Sequence, residues 1–286
     1  MDDEDEVDKP DEVDPDEGPE FREKDPAFVE ACNVLDHFFE ANNREVYYHR
    51  QLTVLFEKKW FHWITGRALN RLVELETIAT SLETIPDLKD EDGAPMKLRL
   101  YRHPSHRYWQ RQKTEIATLV HRFSVELGHS LGKYGEILCD AGLGGAGFVK
   151  AAKNVNEWNG KKWDKTGHNL DRIYVRDGLE YGCEIKNTLK YLPTPEREIK
   201  IDLAHHLGLI PLFIARWLPK DHIYKTVQKG GNVILFEHQL YPVSQEALAG
   251  EVSSRLGLPA KCLDEFPPSA VARFVGVHER RLRGRR

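Results

Sequence analysis

A chain of 286 residues with 40% hydrophobic content has enough material for one large domain or two medium ones, each with a real core. No apolar run is long enough to span a bilayer and the N-terminus lacks the basic-then-apolar layout of a secretory leader, so a cytoplasmic protein without a membrane partner is expected. The net charge of -5 hides an asymmetry: residues 1–25 carry 14 acidic and 3 basic side chains, a net -11, while the remainder carries +6 and ends in five arginines among its last nine residues. An acidic tail on a mildly basic body suits a nucleic-acid partner as well as mere solubility. Cys32, Cys139, Cys183 and Cys262 are scattered without a C-x-x-C pair, which points to reduced thiols and away from a disulfide or zinc framework.

Residues 1–25 have almost no apolar content and are expected to be disordered. Asp25-Pro26 reads as an N-cap followed by proline at the first helical position. Phe28, Ala31, Cys32, Leu35, Phe38 and Phe39 then recur at helical spacing up to Asn42-Asn43. Val46–Tyr48 is short and extended, and His49–Lys58 reads as a second helix. A third is expected over Phe61–Glu76, with Ile64, Ala68, Leu72 and Leu75 inward and Trp63, Arg67, Asn70 or Arg71, and Glu74 outward. Strand-like runs follow at Thr77–Ile85 and Met96–Tyr101, around the turn-rich PDLKDEDGAP. Three helices and then a two-stranded hairpin make residues 26–103 resemble the winged helix-turn-helix superfamily. That resemblance implies DNA binding, with the third helix in the major groove and Trp63, Arg67, Asn70 and Arg71 toward the bases. The hairpin tip, with Asp87, Asp90, Glu91 and Asp92, departs from a wing that grips phosphate. Without the resemblance, the same helix face is a solvated one on a dimerisation module.

Ser105–Leu127 is helical, with Ile116, Leu119, Val120 and Phe123 on one stripe, so residues 104–128 form a linking helix. His129–Ala141 is another helix, which the glycines of GLGGAG (residues 142–147) should break; they lack the lysine and Ser/Thr of a phosphate loop. A strand is expected over Phe148–Val155. The polar loop 156–168 interleaves Lys161, Lys162 and Lys165 with Trp158 and Trp163, a pattern that suits contact with nucleic acid or capping of a sheet edge. After a hairpin come a helix at Pro195–Leu207 with a basic face of Arg197 and Lys200, a buried strand at Pro211–Ala215, a helix at Asp221–Lys229, a strand at Asn232–Glu237 and a helix at Ser244–Leu256. Residues 129–258 thus read as an α/β domain, a mixed central sheet flanked by helices, preceded by the α+β module and followed by a basic extension, residues 259–286.

The hairpin between residues 169 and 186, NLDRIYVRDGLEYGCEIK, carries the chemistry. Asp177-Gly178 between two β-branched and aromatic runs is a strong two-residue turn signal. Such a turn sets Asp171 opposite Glu184, and period-2 alternation puts Lys186 on the same face. Facing carboxylates repel, and a hard divalent cation between them relieves the repulsion. Mg²⁺, or Mn²⁺, held by Asp171, Glu184 and the carbonyl of Ile185, with Lys186 beside it, suits hydrolysis of a phosphodiester by an activated water. A plain surface cluster of Asp, Glu and Lys, with Glu180 on the same face, is the structural alternative.

Asp171 followed by Glu184-Ile185-Lys186 on the next strand resembles the PD-(D/E)XK nuclease superfamily, the restriction endonuclease-like fold, with the eponymous proline replaced by Leu170. The matching order of helix, three strands, helix and strand runs from about His129 to Ala215. The resemblance implies that Glu136, on the preceding helix, joins Asp171 and Glu184 as a metal ligand and that Lys186 is catalytic. It also implies an endonuclease acting on duplex or branched DNA with Mg²⁺ or Mn²⁺, while Asn187 and Thr188 would contact phosphate. Read from its own helix alone, Glu136 is equally a solvent-facing side chain. Two cuts in a duplex suggest two active sites, and symmetry then suggests a homodimer. A non-catalytic DNA-binding regulator, or an enzyme acting on RNA or a signalling nucleotide, fits the same residues.

Overall fold

The computed structural model describes residues 25–89 and 95–284. Residues 1–24 of the acidic tail, the hairpin tip from Asp90 to Asp92 and the side chain of Asp87 lie outside the described residues. The chain divides into two compact units. One runs to His129 and includes Gly250–Leu258; the other comprises Ser130–Ala249 and the chain from Pro259. Among the described residues, no helix is long and apolar enough to cross a membrane.

The first unit opens with helix α1 (Pro26–Ala41), capped as its sequence predicts: the Asp25 carboxylate accepts the Ala27 N–H at 2.8 Å. Strand β1 (Val46–Tyr48), α2 (His49–Phe56), α3 (His62–Glu74), β2 (Ala79–Lys89) and β3 (Pro95–Arg102) follow. The strands form an antiparallel sheet in the order β1-β3-β2. Phe28, Leu35, Phe39, Leu52, Leu69 and Leu72 fill the core against the helices. Leu75 departs from the expected inward stripe. Helix α3 stops at Glu74, so Leu75 sits at the C-cap, off the helical period, and is 52% exposed. Helix α4 (Gln110–His121) continues into a π-helical turn, Arg122–Glu126, and its stripe of Ile116, Leu119 and Val120 is buried, as is Phe123. The linking helix therefore belongs to this unit.

In the second unit α5 (Gly128–Gly145) leads into β4 (Val149–Val155). Next come a short hairpin of β5 (Glu157–Trp158) and β6 (Lys161–Lys162), then β7 (Leu170–Arg176), β8 (Leu179–Lys186), α6 (Thr194–His206) and β9 (Ile210–Ala215). The unit continues with α7 (Lys220–Gln228), β10 (Asn232–Leu235) and β11 (Gln239–Tyr241); α8 (Glu246–Leu256) passes into the first unit from Gly250, and β12 (Ala260–Cys262) and α9 (Pro268–Arg283) belong to the second again. The five-stranded sheet has the order β10-β9-β8-β7-β4; β4, β7 and β8 are antiparallel neighbours, and β8, β9 and β10 run parallel. A mixed α/β sheet flanked by helices is the observed class.

One expectation is corrected here. Helix α5 does not break at Gly142 but runs to Gly145, and the reversal comes at Gly147, with φ +83°. Each helical glycine costs roughly 1 kcal/mol against alanine, but the fully buried Leu143 anchors this turn in the core and outweighs it. The basic C-terminal extension carries β12 and α9. Ala270, Phe274 and His278 recur at helical spacing along α9 and are buried.

Consecutive residues of a strand point to opposite faces, and this alternation divides the sheet's two layers. On one face Tyr174, Tyr181, Cys183 and Ile185 join Leu138, Cys139 and Leu143 of α5 and Phe274 of α9. On the other, Ile173 packs with Leu203 and Ala204 of α6, and Phe213 with Ile201.

Candidate active site

The site begins with the turn. Asp177 and Gly178 have φ +51° and +72°, the paired left-handed conformations of a type I′ turn that matches the twist of the flanking strands. The register follows: Arg176 pairs with Leu179, Tyr174 with Tyr181 and Arg172 with Cys183. One step further, the same register sets Asp171 opposite Glu184.

The two acids are held closely. The Ile185 N–H donates to Asp171 Oδ2 at 2.6 Å. Lys186 Nζ lies 3.2 Å from Glu184 Oε1 and 3.0 Å from Glu196 Oε1. Lys200 Nζ lies 2.6 Å from Glu184 Oε2. That last contact has the distance of an ion pair without the angle of a hydrogen bond, and Oε2 has no hydrogen-bond donor. Glu184 is 3% exposed. Burial, and then the charge of Glu184, push the Asp171 carboxyl up to about 7; Lys200, the Ile185 N–H and Lys186 pull the other way.

The two facing side chains are hard oxygen donors, and the Ile185 carbonyl is the third ligand the sequence leads one to expect. Two facing carboxylates, one of them buried and the other with its ionisation resisted, are a donor set of the kind that suits a divalent cation such as Mg²⁺. Glu136 is not brought into this set. Asp171 and Arg172 are neighbours on β7 and point to opposite faces. Helix α5 covers the face of Arg172, whose guanidinium donates to Glu136 and contacts Asp140 at 3.3 Å. Tyr174 donates to the same Asp140 at 2.6 Å and Lys150 pairs with it at 2.7 Å. Among the described residues, no three His, Cys, Asp or Glu side chains group to hold a metal ion.

Asn187 is also placed differently from its expected phosphate contact. It is buried, its Nδ2 donates to the carbonyls of Leu131 and Leu240, both at 2.8 Å, and its Oδ1 accepts the Leu240 N–H at 2.7 Å. Gly135 makes room for it, because a Cβ there would sit 2.6 Å from the Asn187 Cβ. Asn187→Ala should cost roughly 3 kcal/mol in urea unfolding, since it strands three buried backbone groups. Unchanged stability would return Asn187 to a ligand-contacting role. Thr188 caps the following turn through the Lys190 N–H, and its carbonyl accepts from Arg216.

On the expected DNA-reading face, Arg71 is exposed and paired with Glu74 at 3.1 Å. Asn70 accepts from Arg99 of β3 at 3.1 Å, and Arg67 lies over the Trp63 ring, 5.5 Å from its centroid. Trp63 itself packs against the core. Lys161 and Lys162 are exposed on the β5–β6 hairpin, but the interleaved tryptophans point inward. Trp163 is buried in the core and Trp158 donates to Glu180 at 3.0 Å, which favours the sheet-capping alternative for both.

Lys200 and Glu196 are the site residues that the sequence pattern misses. The basic face expected on α6 is inward: Arg197 and Lys200 are buried, and Lys200 also donates to the Asn169 carbonyl at 2.7 Å. The available signal is the one-turn spacing of Glu196 and Lys200 directly after Glu184-Ile185-Lys186, which lets one helix face balance both charges of the strand. No protein-family model, curated protein or solved structure matches this chain.

Proposed function

We propose that the chain is a divalent-cation-dependent endonuclease that hydrolyses DNA phosphodiester bonds, with a core of the PD-(D/E)XK type in its second unit and a winged-helix-like DNA reader at residues 26–103. One observation carries the reading: Asp171 and Glu184 face each other across β7 and β8, with Lys186 beside them and the Asp171 carboxyl pushed to about 7. The strand order with β8 between the antiparallel β7 and the parallel β9 supports the core assignment. For the reader, the support is the succession of three helices with a sheet ordered β1-β3-β2, and Arg71 exposed on α3.

Asp171, Glu184 and the Ile185 carbonyl would hold Mg²⁺ or Mn²⁺. The cation, when bound, supplies positive charge to the scissile phosphate and a more acidic attacking water. Lys186, held from both sides by Glu184 and Glu196, keeps its ammonium at the mouth of the acid pair, where it can stabilise charge developing on the phosphate. The Ile185 N–H fixes one oxygen of Asp171. Cleavage of both strands calls for a second copy of the chain, so a homodimer accompanies the reading.

A parallel panel of duplex DNA, branched DNA, single strands and RNA, each with Mg²⁺ or Mn²⁺, tests it. Cleavage of a DNA form that stops on chelation is the expected result. Binding of DNA with no cleavage of any substrate would leave a regulator, and cleavage of RNA alone would move the substrate class.

A further inference from the structure

We propose that Lys200 is a positioning residue of this site, a fixed cation that occupies one side of the Glu184 carboxylate and so limits the acid pair to a single divalent ion. The inference rests on the metal-dependent reading of Asp171 and Glu184 and specifies how many ions that site takes.

Four observations converge. Each oxygen of Glu184 already faces an ammonium group, Oε1 that of Lys186 at 3.2 Å and Oε2 that of Lys200 at 2.6 Å. The two lysines are not equivalent. The Lys186 side chain is 22% exposed and divides its contacts between Glu184 and Glu196, so it sits at the rim. The Lys200 side chain is 7% exposed and is anchored on the Asn169 carbonyl at 2.7 Å. Its neighbour on α6, Ile201, is fully buried with Phe213 of β9, so this stretch of the helix faces the sheet.

The ammonium of Lys200, anchored between Asn169 and Glu184, stands where a second ion would have to bind. Two acids with two divalent ions are a common way to balance charge around a phosphate, but here a second divalent ion on Glu184 would have to approach the buried ammonium at contact distance. In a part-buried setting that repulsion is weakly screened. Asp171 feels Lys200 and Lys186 only at longer range, and its Oδ2 takes the peptide N–H of Ile185, which leaves the ion shared between Asp171 and Oε1 of Glu184. Lys200 would thus neutralise Glu184 and hold its carboxylate in one orientation while the single ion binds.

Mn²⁺ binding to the full chain, followed by the loss of the free-ion electron paramagnetic resonance signal and by calorimetry, reads the stoichiometry without any activity assay. Wild type should take up one ion per chain at the acid pair, and Asp171→Ala should lose it. Lys200→Met should admit a second ion or bind the first about tenfold more tightly, because one local positive charge is gone. Lys200→Arg, which keeps the charge, should stay at one ion and serves if the methionine variant does not fold. Two ions per wild-type chain, or a methionine variant with wild-type stoichiometry and affinity, would overturn the role of Lys200 and leave the metal site standing. No Asp171-dependent ion in wild type would overturn both this inference and the metal-dependent reading beneath it.

Discussion

Asp171→Asn should abolish metal-dependent cleavage and, in chelator at about pH 8, raise the melting temperature. The two effects share one cause. Burial and the neighbouring Glu184 push the Asp171 carboxyl from 3.8 to about 7, so folding favours its protonated form. The linkage has a definite sign. Between those two values the folded chain binds more protons than the unfolded one, and stability falls as pH rises. The contribution is complete below about pH 4 and gone above about pH 7. Asparagine keeps the shape and the oxygen that accepts the Ile185 N–H, but carries no charge to bury. Its advantage should therefore be absent near pH 4 and complete by pH 8. The full shift would correspond to roughly 4 kcal/mol. The partial exposure of Asp171 screens it, and about 1–2 kcal/mol, a few degrees in a domain of this size, is the expected gain. Cleavage, by contrast, needs the carboxylate as a cation ligand, and a loss of about a thousandfold or more is expected. Stabilisation by removing a functional charge is the usual mark of a site whose strain is tolerated for activity. Thermal melts of both proteins across pH, with a plasmid-nicking assay, check the pair of outcomes. A less stable Asp171→Asn at pH 8, or one that still cuts, would refute the assignment of Asp171.

The parts of this site that sequence reveals are those set by short-range geometry. Asp177-Gly178 requires two left-handed residues, few other dipeptides supply them, and a two-residue turn leaves one register; the placing of Asp171 against Glu184 follows by counting. The capping of α1 by Asp25 is legible for the same reason. What escapes is anything that depends on which layer covers which face. A helix with Glu136 upstream of the strands says nothing of whether it lies over Asp171 or over Arg172, and those adjacent residues look to opposite sides of the sheet. The lysine and arginine on α6 read as a solvated face because charge usually is one; only the packing of Ile201, Leu203 and Ala204 on the sheet shows that Lys200 is inside. The glycines after α5 mislead in the same way, since local propensity favours a break and the burial of Leu143 overrides it.

Arg172→Met should be the most destabilising of the single changes near the site, and Glu136→Ala should weaken the fold without weakening the metal. Arg172 is 7% exposed and its guanidinium is committed to Glu136 and Asp140, while Tyr174 donates to Asp140 from the neighbouring position on the same face. Removing the arginine leaves two carboxylates beside each other under α5 with only the half-exposed Lys150 to balance them. Breaking such a pair from one side costs about 3–5 kcal/mol, which in a chain of this size lowers the melting temperature by roughly 10 °C. Glu136→Ala removes one partner of the same network and should cost less, because Asp140 still meets the guanidinium. The decisive comparison is metal affinity. Glu136 on the Arg172 side of the sheet contributes nothing to an ion held by Asp171 and Glu184, so Mn²⁺ should bind Glu136→Ala as it binds wild type. A Glu136→Ala protein that melts normally but loses Mn²⁺ would show that α5 turns its glutamate to the other face when the ion arrives, and would restore the three-carboxylate site that the resemblance to PD-(D/E)XK nucleases implies.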